Sequence, residues 1–354
     1  MLPITDLGAG SGWPVPLGLR DLPAAQRQAP WTWDPLREGH LGIVGAPRTG
    51  RTSALSTLAA QLATRFTPTE LHLYAVHTGS LLGLESLPHV GASVRGDDLP
   101  RLAQLLSILT DPPDPTAPVV PLRVLLVDDW DRVGEELDRA RAGVLRDRLA
   151  ALLRRGPREQ LAVALTGGRA ALAGSLGQLV SRRLLLLPAD PIDLAMAGLS
   201  SASVTQHPAP GRAIDPSDGT EVQLATLVPE PTAARCAAYL RELADRLPSD
   251  ARPVPGVATL PALVTVGELL SQQGVLVIGT DGTGSVGFEP SRGQRQIAVL
   301  GHRGTGRTTA LCRLAHAIAG AGRPLAVIGA LAELPTAAMA FGIEDADGLI
   351  AARR

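Results

Sequence analysis

The 354-residue chain contains no lysine: all 33 basic side chains are arginine, set against 34 Asp and Glu for a net charge of −1. That balance excludes the broadly basic surface on which affinity for a phosphate backbone rests, and leaves room only for a local basic patch. The missing lysine accompanies abundant Ala, Gly, Pro and Leu, the pattern of genome-wide codon bias, so arginine at any one position has a neutral explanation. Aromatic residues make up 3% of the chain, and no stacking platform for single-stranded nucleic acid is visible. Two cysteines, Cys236 and Cys312, lie far apart and without histidine company, so neither a disulfide framework nor a zinc site is suggested. No run approaches the roughly 18 consecutive apolar residues of a membrane helix, and Leu184 to Leu187 is closed off by Pro188. The first residues have neither a basic start nor an apolar core. A cytosolic chain is expected, with any membrane contact made through a partner.

What is present is a repeat. The segment DPLREGHLGIVGAPRTGRTSALSTLAAQLA, from Asp34 to Ala63, is echoed by EPSRGQRQIAVLGHRGTGRTTALCRLAHAIA, from Glu289 to Ala319. Both contain G-x-x-x-x-G-R-T, a phosphate-binding loop with arginine in place of lysine. Two copies with matching flanks indicate two related modules. The expected division is a first module over residues 1–228, a helix and Pro-rich connector over 229–258, and a second module over 259–354. The chain after Thr308 is shorter than the stretch from Thr52 to Asp128, so the second module is expected to be incomplete, cut before its metal-binding strand. The segment AMAFGIED near the end imitates such a strand weakly, and its Gly342 and spacing favour a core helix or loop.

Around the first loop the pattern reads strand, loop, helix: HLGIV is a short apolar run, and Thr52 to Arg65 carries Leu55, Leu58, Ala59 and Leu62 at helical spacing. Further strands are expected at 71–76, 123–128, 161–165 and 183–187, with helices at 97–109, 135–155 and 232–247, and two short strands near Gly211 and Val222. Fully apolar strands alternating with helices imply a parallel sheet covered on both faces, a three-layer α/β domain.

A P-loop turns consecutive backbone N–H groups toward phosphate oxygens at a helix N-terminus, where the dipole favours an anion. The candidate cradle is Gly45, Ala46, Pro47, Arg48, Thr49, Gly50, Arg51 and Thr52, and its second copy Gly301, Gly304, Thr305, Gly306, Arg307 and Thr308. Because the donors are backbone groups, Arg51 leaves most of the cradle intact while replacing a compact ammonium with a bulkier planar guanidinium. Thr52 supplies the hydroxyl that would hold Mg²⁺. RVLLVDDWD has the form of a Walker B strand, whose Asp128 would hold Mg²⁺ through a water. The next position normally carries a glutamate that polarises the attacking water; here Asp129, the candidate catalytic base, is a methylene shorter. Asp131 reads either as a substitute base or as a solvent-facing cap on the following segment. Thr166 stands where many motor ATPases place a γ-phosphate sensor, and reads equally as a plain strand-end threonine. Arg139, Arg141, Arg146, Arg148, Arg154, Arg155 and Arg158 cluster on one helical stretch. They fit a solvated face, a subunit interface supplying an arginine finger, or a nucleic-acid contact. The histidines and the Trp31/Trp33 pair read as packing or surface residues.

Together with VPLGLRDLPAAQRQAPWTWDP, LPHVGASVRGDD, SRRLLLLPADPIDLAMAGL, PGRAI and DGTEVQLA, these motifs resemble the FtsK/SpoIIIE-type motor ATPases, most closely the EccC-type modules of type VII secretion. The resemblance covers residues 10 to 228 and resumes from about 259. It implies a RecA-like P-loop NTPase of three α/β/α layers with a mainly parallel sheet, ATP and Mg²⁺ at the P-loop, and assembly with other motor modules or subunits, homo-oligomers included. It also implies a polypeptide substrate and a place at the inner face of the membrane through a secretion complex. Tandem modules of this type can be unequal, some holding nucleotide tightly while hydrolysing it poorly. Arg51, Asp129, and His77 where the family often has an aspartate, depart from an active motor. The expected function is an ATP-binding module pair with weak or absent hydrolysis. A DNA translocase and a nucleotide-free docking scaffold are the alternatives.

Overall fold

The computed structural model describes residues 2–8, 10–111, 119–139, 143–173, 177–200, 208–248, 254–257, 264–265, 275–280, 285–289, 297–328 and 338–341. They fall into two units, Met1–Val257 and Ala258–Arg354. In chain order the strands of the first unit are β1 (Leu2–Pro3), β2 (Val15–Leu22), β3 (Arg27–Trp33), β4 (Leu41–Val44), β5 (Leu71–His77), β6 (Val90–Arg95), β7 (Leu122–Val127), β8 (Leu161–Gly167), β9 (Arg182–Leu186), β10 (Arg212–Ile214) and β11 (Glu221–Thr226). Its α-helices are α1 (Pro35–Glu38), α2 (Arg51–Arg65), α3 (Leu99–Thr110), α4 (Trp130–Arg139), α5 (Val144–Arg155), α6 (Pro191–Met196) and α7 (Ala233–Ala244).

Six strands pair in parallel in the order β9-β4-β8-β7-β5-β6, and β10, β11, β2 and β3 continue the sheet antiparallel from β9. The central parallel strands β4, β5, β7 and β8 are buried on both faces because apolar residues dominate both sets of alternate positions. Leu41 and Ile43 of β4, Leu71, Leu73 and Ala75 of β5, and Val124 and Leu126 of β7 enter one core with α2 and α7. The alternate residues Val44, Tyr74, Val76, Leu125 and Val127 enter the other, with α3, α4 and α5. This period of two, carried by strands with two covered faces, produces the three layers. α2 runs through the first core with Ala54 to Ala63 buried. Truncating one of its fully buried leucines, Leu58 for example, to alanine costs about 2–5 kcal/mol.

The hairpin β2–β3 has no counterpart among the expected strands, because Pro16, Gly18 and Pro30 interrupt its apolar pattern. Pro30 is tolerated since β3 is the sheet edge. Gly18 is required by a close approach, as a Cβ there would stand 2.4 Å from the Gln223 carbonyl oxygen of β11. Trp31 and Trp33 are fully buried. The Trp31 indole N–H donates to Asp215 at 2.7 Å, and the Arg182 guanidinium lies 4.7 Å from the Trp31 ring centre while pairing with Asp215 at 2.8 Å.

Two expectations are corrected in this unit. The single helix over 135–155 is instead α4 and α5, and Gly143 precedes α5 at φ +83, a conformation a right-handed helix cannot contain. The connector assigned to 229–258 contributes to the first unit: α7 buries Cys236, Leu240 and Leu243, Val257 is buried on the opposite face, and the Tyr74 hydroxyl donates to the Pro255 carbonyl at 3.0 Å. Cys236 is buried, and Cys312, in the second unit, is partly buried.

The second unit contains the antiparallel hairpin β12 (Leu276–Thr280) and β13 (Ser285–Phe288), helix α8 (Arg307–Gly320), and the parallel pair β14 (Leu325–Ile328) and β15 (Ala338–Phe341). Residues 297–300, the echo of β4, form no strand, and Leu300 is 90% exposed. The segment expected to be a core helix or loop, AMAF, is instead β15, paired with β14; Gly342 lies outside the described residues.

Candidate functional site

The loop from Gly45 to Gly50 links the C-terminal end of β4 to the N-terminus of α2 and is folded by its own side chains. The Thr49 hydroxyl donates to the Ala46 carbonyl at 2.8 Å, and the Gly45 N–H donates to Gly167 of β8 at 3.0 Å. A Cβ on Gly45 would stand 2.7 Å from both Thr49 Oγ1 and Leu186 Cβ, so only glycine fits there. Gly50, at φ +106, begins α2 and offers no side chain to cap its first turn. The helix start faces a cleft of about 340 Å³ lined by Arg48, Thr49, Gly50 and Ser53, with Pro188, Pro210, Gly211 and Thr226 among the residues across from them. An uncapped helix N-terminus behind a glycine-shaped loop is a fit for a phosphate chain.

The second copy has the same turn. The Thr305 hydroxyl donates to the His302 carbonyl at 2.7 Å, Gly306 begins α8 at φ +90, and a Cβ on Gly301 would stand 2.5 Å from Thr305 Oγ1. At the fourth loop position Gly304 has φ +84, and in the first copy the non-glycine Arg48 holds φ +69. Arg307 and Thr308 open α8 as Arg51 and Thr52 open α2. The turn is therefore encoded by the repeated loop itself, whether or not a strand precedes it.

Behind the first loop, β7 ends at the carboxylate of Asp128, which is 2% exposed. Thr52 Oγ1 donates to its Oδ2 at 2.8 Å, Thr166 Oγ1 donates to Oδ1 at 2.6 Å, and Ser80 Oγ also donates to Oδ2. Ser80 escaped sequence reasoning because it lies in a loop after β5 and meets Asp128 only through strand order. Thr166, fully buried, also accepts the Asp129 N–H at 3.0 Å. Its hydroxyl is thus engaged with the strand-end turn on both sides. Among the described residues no group of three or more His, Cys, Asp or Glu is placed to hold a metal ion. Thr52 and Asp128 suit a Mg²⁺ that arrives with phosphate oxygens and keeps several waters.

Arg51 faces the carboxylates that follow β7. Its guanidinium lies 3.7 Å from Asp129 Oδ1 and 3.8 Å from Asp131 Oδ2, and the side chain is 14% exposed. Burial raises the Asp129 carboxyl above its ordinary value; Arg51 opposes that shift, and Asp131 and Asp128 add to it. Asp129 also holds a left-handed backbone, at φ +64. Asp131 does cap, though not the segment that follows it: its carboxylate accepts the N–H groups of Gly168 and, at 3.2 Å, Ala170 in the loop after β8.

His77, at the end of β5, is nearly buried. Its Nδ1 accepts the Gly79 N–H at 2.8 Å, which places the proton on Nε2, 3.1 Å from Ser93 Oγ. Burial lowers its pKa against the raising influence of Asp128. Within the arginine cluster, Arg139 pairs with Glu135 and Glu136, Arg146 with Asp138, and Arg155 with Glu159, which neutralises part of that face; Arg141 lies outside the described residues.

With this geometry in place, the likeness to known proteins is consistent along the chain. Residues 13–114 match the FtsK/SpoIIIE family. The chain is 28% identical over 344 residues to the ESX-4 secretion system protein EccC4 of Mycobacterium tuberculosis, a match spanning 86% of this chain and 26% of that protein. It is 38% identical over 95 residues, 26% of this chain and 7% of the relative, to the ESX secretion system protein EccC of Thermomonospora curvata. The chain thus spans about a quarter, or less, of the length of these relatives. Its fold superposes with a TM-score of 0.70 on ATPases 2 and 3 of Thermomonospora curvata EccC, solved in complex with a signal sequence peptide, at 21% identity, covering 98% of this chain and 70% of that one. The chain is homologous to the EccC and EssC type VII secretion ATPases and matches the FtsK/SpoIIIE family over residues 13–114, with the RecA-like P-loop fold its repeated loop implies.

Proposed function

We propose that the chain is a nucleotide-binding module pair of a type VII-like export motor, holding ATP with Mg²⁺ and hydrolysing it weakly or not at all. One observation carries the reading: the uncapped start of α2 faces an open cleft, and the Thr52 hydroxyl in its first turn meets the Asp128 carboxylate. Backbone groups of residues 45–52 would hold the phosphates, and Thr52 and Asp128 the Mg²⁺, which when bound neutralises phosphate charge. The matching turn at residues 301–308 supports phosphate binding in the second module.

Weak turnover is supported by the state of Asp129. A base must reach the attacking water. Asp129 is shorter than glutamate, held at φ +64 and turned toward Arg51. ATP would then act mainly by stabilising the folded module and its contacts with neighbouring modules, since a ligand that binds only the folded state stabilises it without being consumed. Substrate polypeptides and other motor subunits are the partners this reading implies, at the cytoplasmic face of a membrane reached through them. Among the described residues no helix is long and apolar enough to cross a membrane. The partial pairing of the arginine cluster with acids favours this reading over DNA translocation.

The test is thermal melting with ATP, with and without Mg²⁺, beside a Ser53→Trp variant that fills the cleft. At about 100 times Kd the ligand adds about 2.7 kcal/mol, a shift of a few degrees. A shift in the parent that is absent in the variant supports binding; no shift at millimolar ATP moves the reading to a docking scaffold.

A further inference from the structure

The loop cation and the acidic end of β7 belong to one ion-pair cluster. Arg51 opens α2, Asp129 ends the β7 turn and Asp131 opens α4; the guanidinium sits between the two carboxylates with little exposure. The Asp129 backbone and the Asp131 carboxylate are held independently of Arg51. The Asp129 N–H is fixed by Thr166, and its carbonyl accepts from Arg132 and Val133 at the start of α4. Asp131 is tied to the Gly168 and Ala170 N–H groups. A phosphate chain in the cradle therefore meets an arginine that already has two anionic partners, one of them at a fixed position.

We infer that Asp129 and Asp131 are positioning residues that hold Arg51 away from the phosphate, so that the first P-loop binds a nucleoside triphosphate in competition with its own carboxylates. This rests on the nucleotide reading above and adds to it. The backbone cradle supplies the binding, the arginine contributes only when released, and the position after Asp128 is an anchor for the loop cation rather than a base. A planar guanidinium suits this role, since its several N–H groups reach two carboxylates at once where an ammonium is a point charge.

The test is the affinity for Mg²⁺-ATP, by calorimetry, of the parent, Asp129→Asn/Asp131→Asn, and the same pair combined with Arg51→Ala. Asparagine is among the non-glycine residues most tolerant of the left-handed backbone at Asp129, and it leaves an acceptor oxygen at Asp131 for the loop after β8. Asp129→Glu, which keeps the anion, serves as the conservative control. The expected result is that the double variant binds about tenfold more tightly than the parent, that Arg51→Ala removes this gain, and that Asp129→Glu stays at the parent value. A double variant no tighter than the parent overturns the inference. So does a triple variant as tight as the double, because the gain would then come from removed negative charge and not from a released arginine. If every variant folds by circular dichroism and none binds, parent included, the nucleotide reading fails and the inference with it. Binding by the parent without a gain in the double variant fails the inference alone.

Discussion

Thr52 and Asp128 lie 76 positions apart in the chain and 2.8 Å apart in space, hydroxyl to carboxylate Oδ2. The contact exists because β4 and β7 flank β8 in the parallel sheet, so the loop after one and the carboxylate ending the other emerge at the same edge. Ligand sites of α/β sheets form at the carboxyl ends of the strands for this reason. Thr52→Ala removes one of three hydroxyls on Asp128 and is expected to destabilise the fold by only about 1 kcal/mol. Its larger effect is on the metal: with ATP, the extra rise in melting temperature that Mg²⁺ gives the parent should vanish in the variant. Asp128→Ala leaves three hydroxyl donors without their acceptor and should cost more, about 2–4 kcal/mol by denaturant titration.

Stability is expected to fall on mild acidification. Burial holds the imidazoles of His40, His72 and His77 below their ordinary value of 6.5, and His72, with Arg123 and His89 adding to the burial effect, comes down to about 4. The unfolded chain takes up protons near the ordinary value while the folded chain refuses them. The contribution is therefore complete above 6.5 and is lost as the pH drops from there toward 4. The melting temperature should decrease steadily between about pH 7 and pH 5, and His72→Gln should flatten that decrease. A parent curve that is level, or rises toward acid, contradicts the assignment.

The hairpin β2–β3 is anchored in part by a buried network at Trp31, which offers a test of the antiparallel half of the sheet. Trp31→Phe keeps the ring but removes the N–H donated to Asp215, which is 1% exposed. A loss of about 1–3 kcal/mol is expected in denaturant titration, with little change in ATP-induced melting shift because the network lies outside the cleft residues. Asp215→Asn should fall in the same range, through the weakened pair with Arg182.

Much of the first unit was legible in the sequence because its signals are local. β4, β7 and β8 are short apolar runs, α2 follows a glycine break with helical spacing, and a repeated loop fixes where the phosphate turn lies. The loop geometry recurs in the second copy even where residues 297–300 form no strand, which shows how much of it is written into Gly301, Thr305 and Gly306 alone. What remained hidden depends on pairing at a distance. The β2–β3 hairpin is obscured by prolines that only an edge strand tolerates, and Ser80 is an unremarkable loop serine until β5 is placed beside β7. Asp131 could be read as a cap from its position, but its partners 37 and 39 residues on are visible only in the folded chain. The direction taken by Arg51 was hidden for the same reason, since the motif places it on phosphate and the two carboxylates beside it become partners only when β4 and β7 come to flank β8.

The central claim, a live nucleotide site with disabled chemistry, is tested most directly by one calorimetric titration of Mg²⁺-ATP into the parent chain, with ADP release followed in the same sample. The account predicts saturable binding in the micromolar range together with fewer than about one turnover per minute, against the roughly 1–1,000 per second of ordinary enzymes. Absence of binding at millimolar ATP, or binding accompanied by turnover on the scale of one per second, would contradict it.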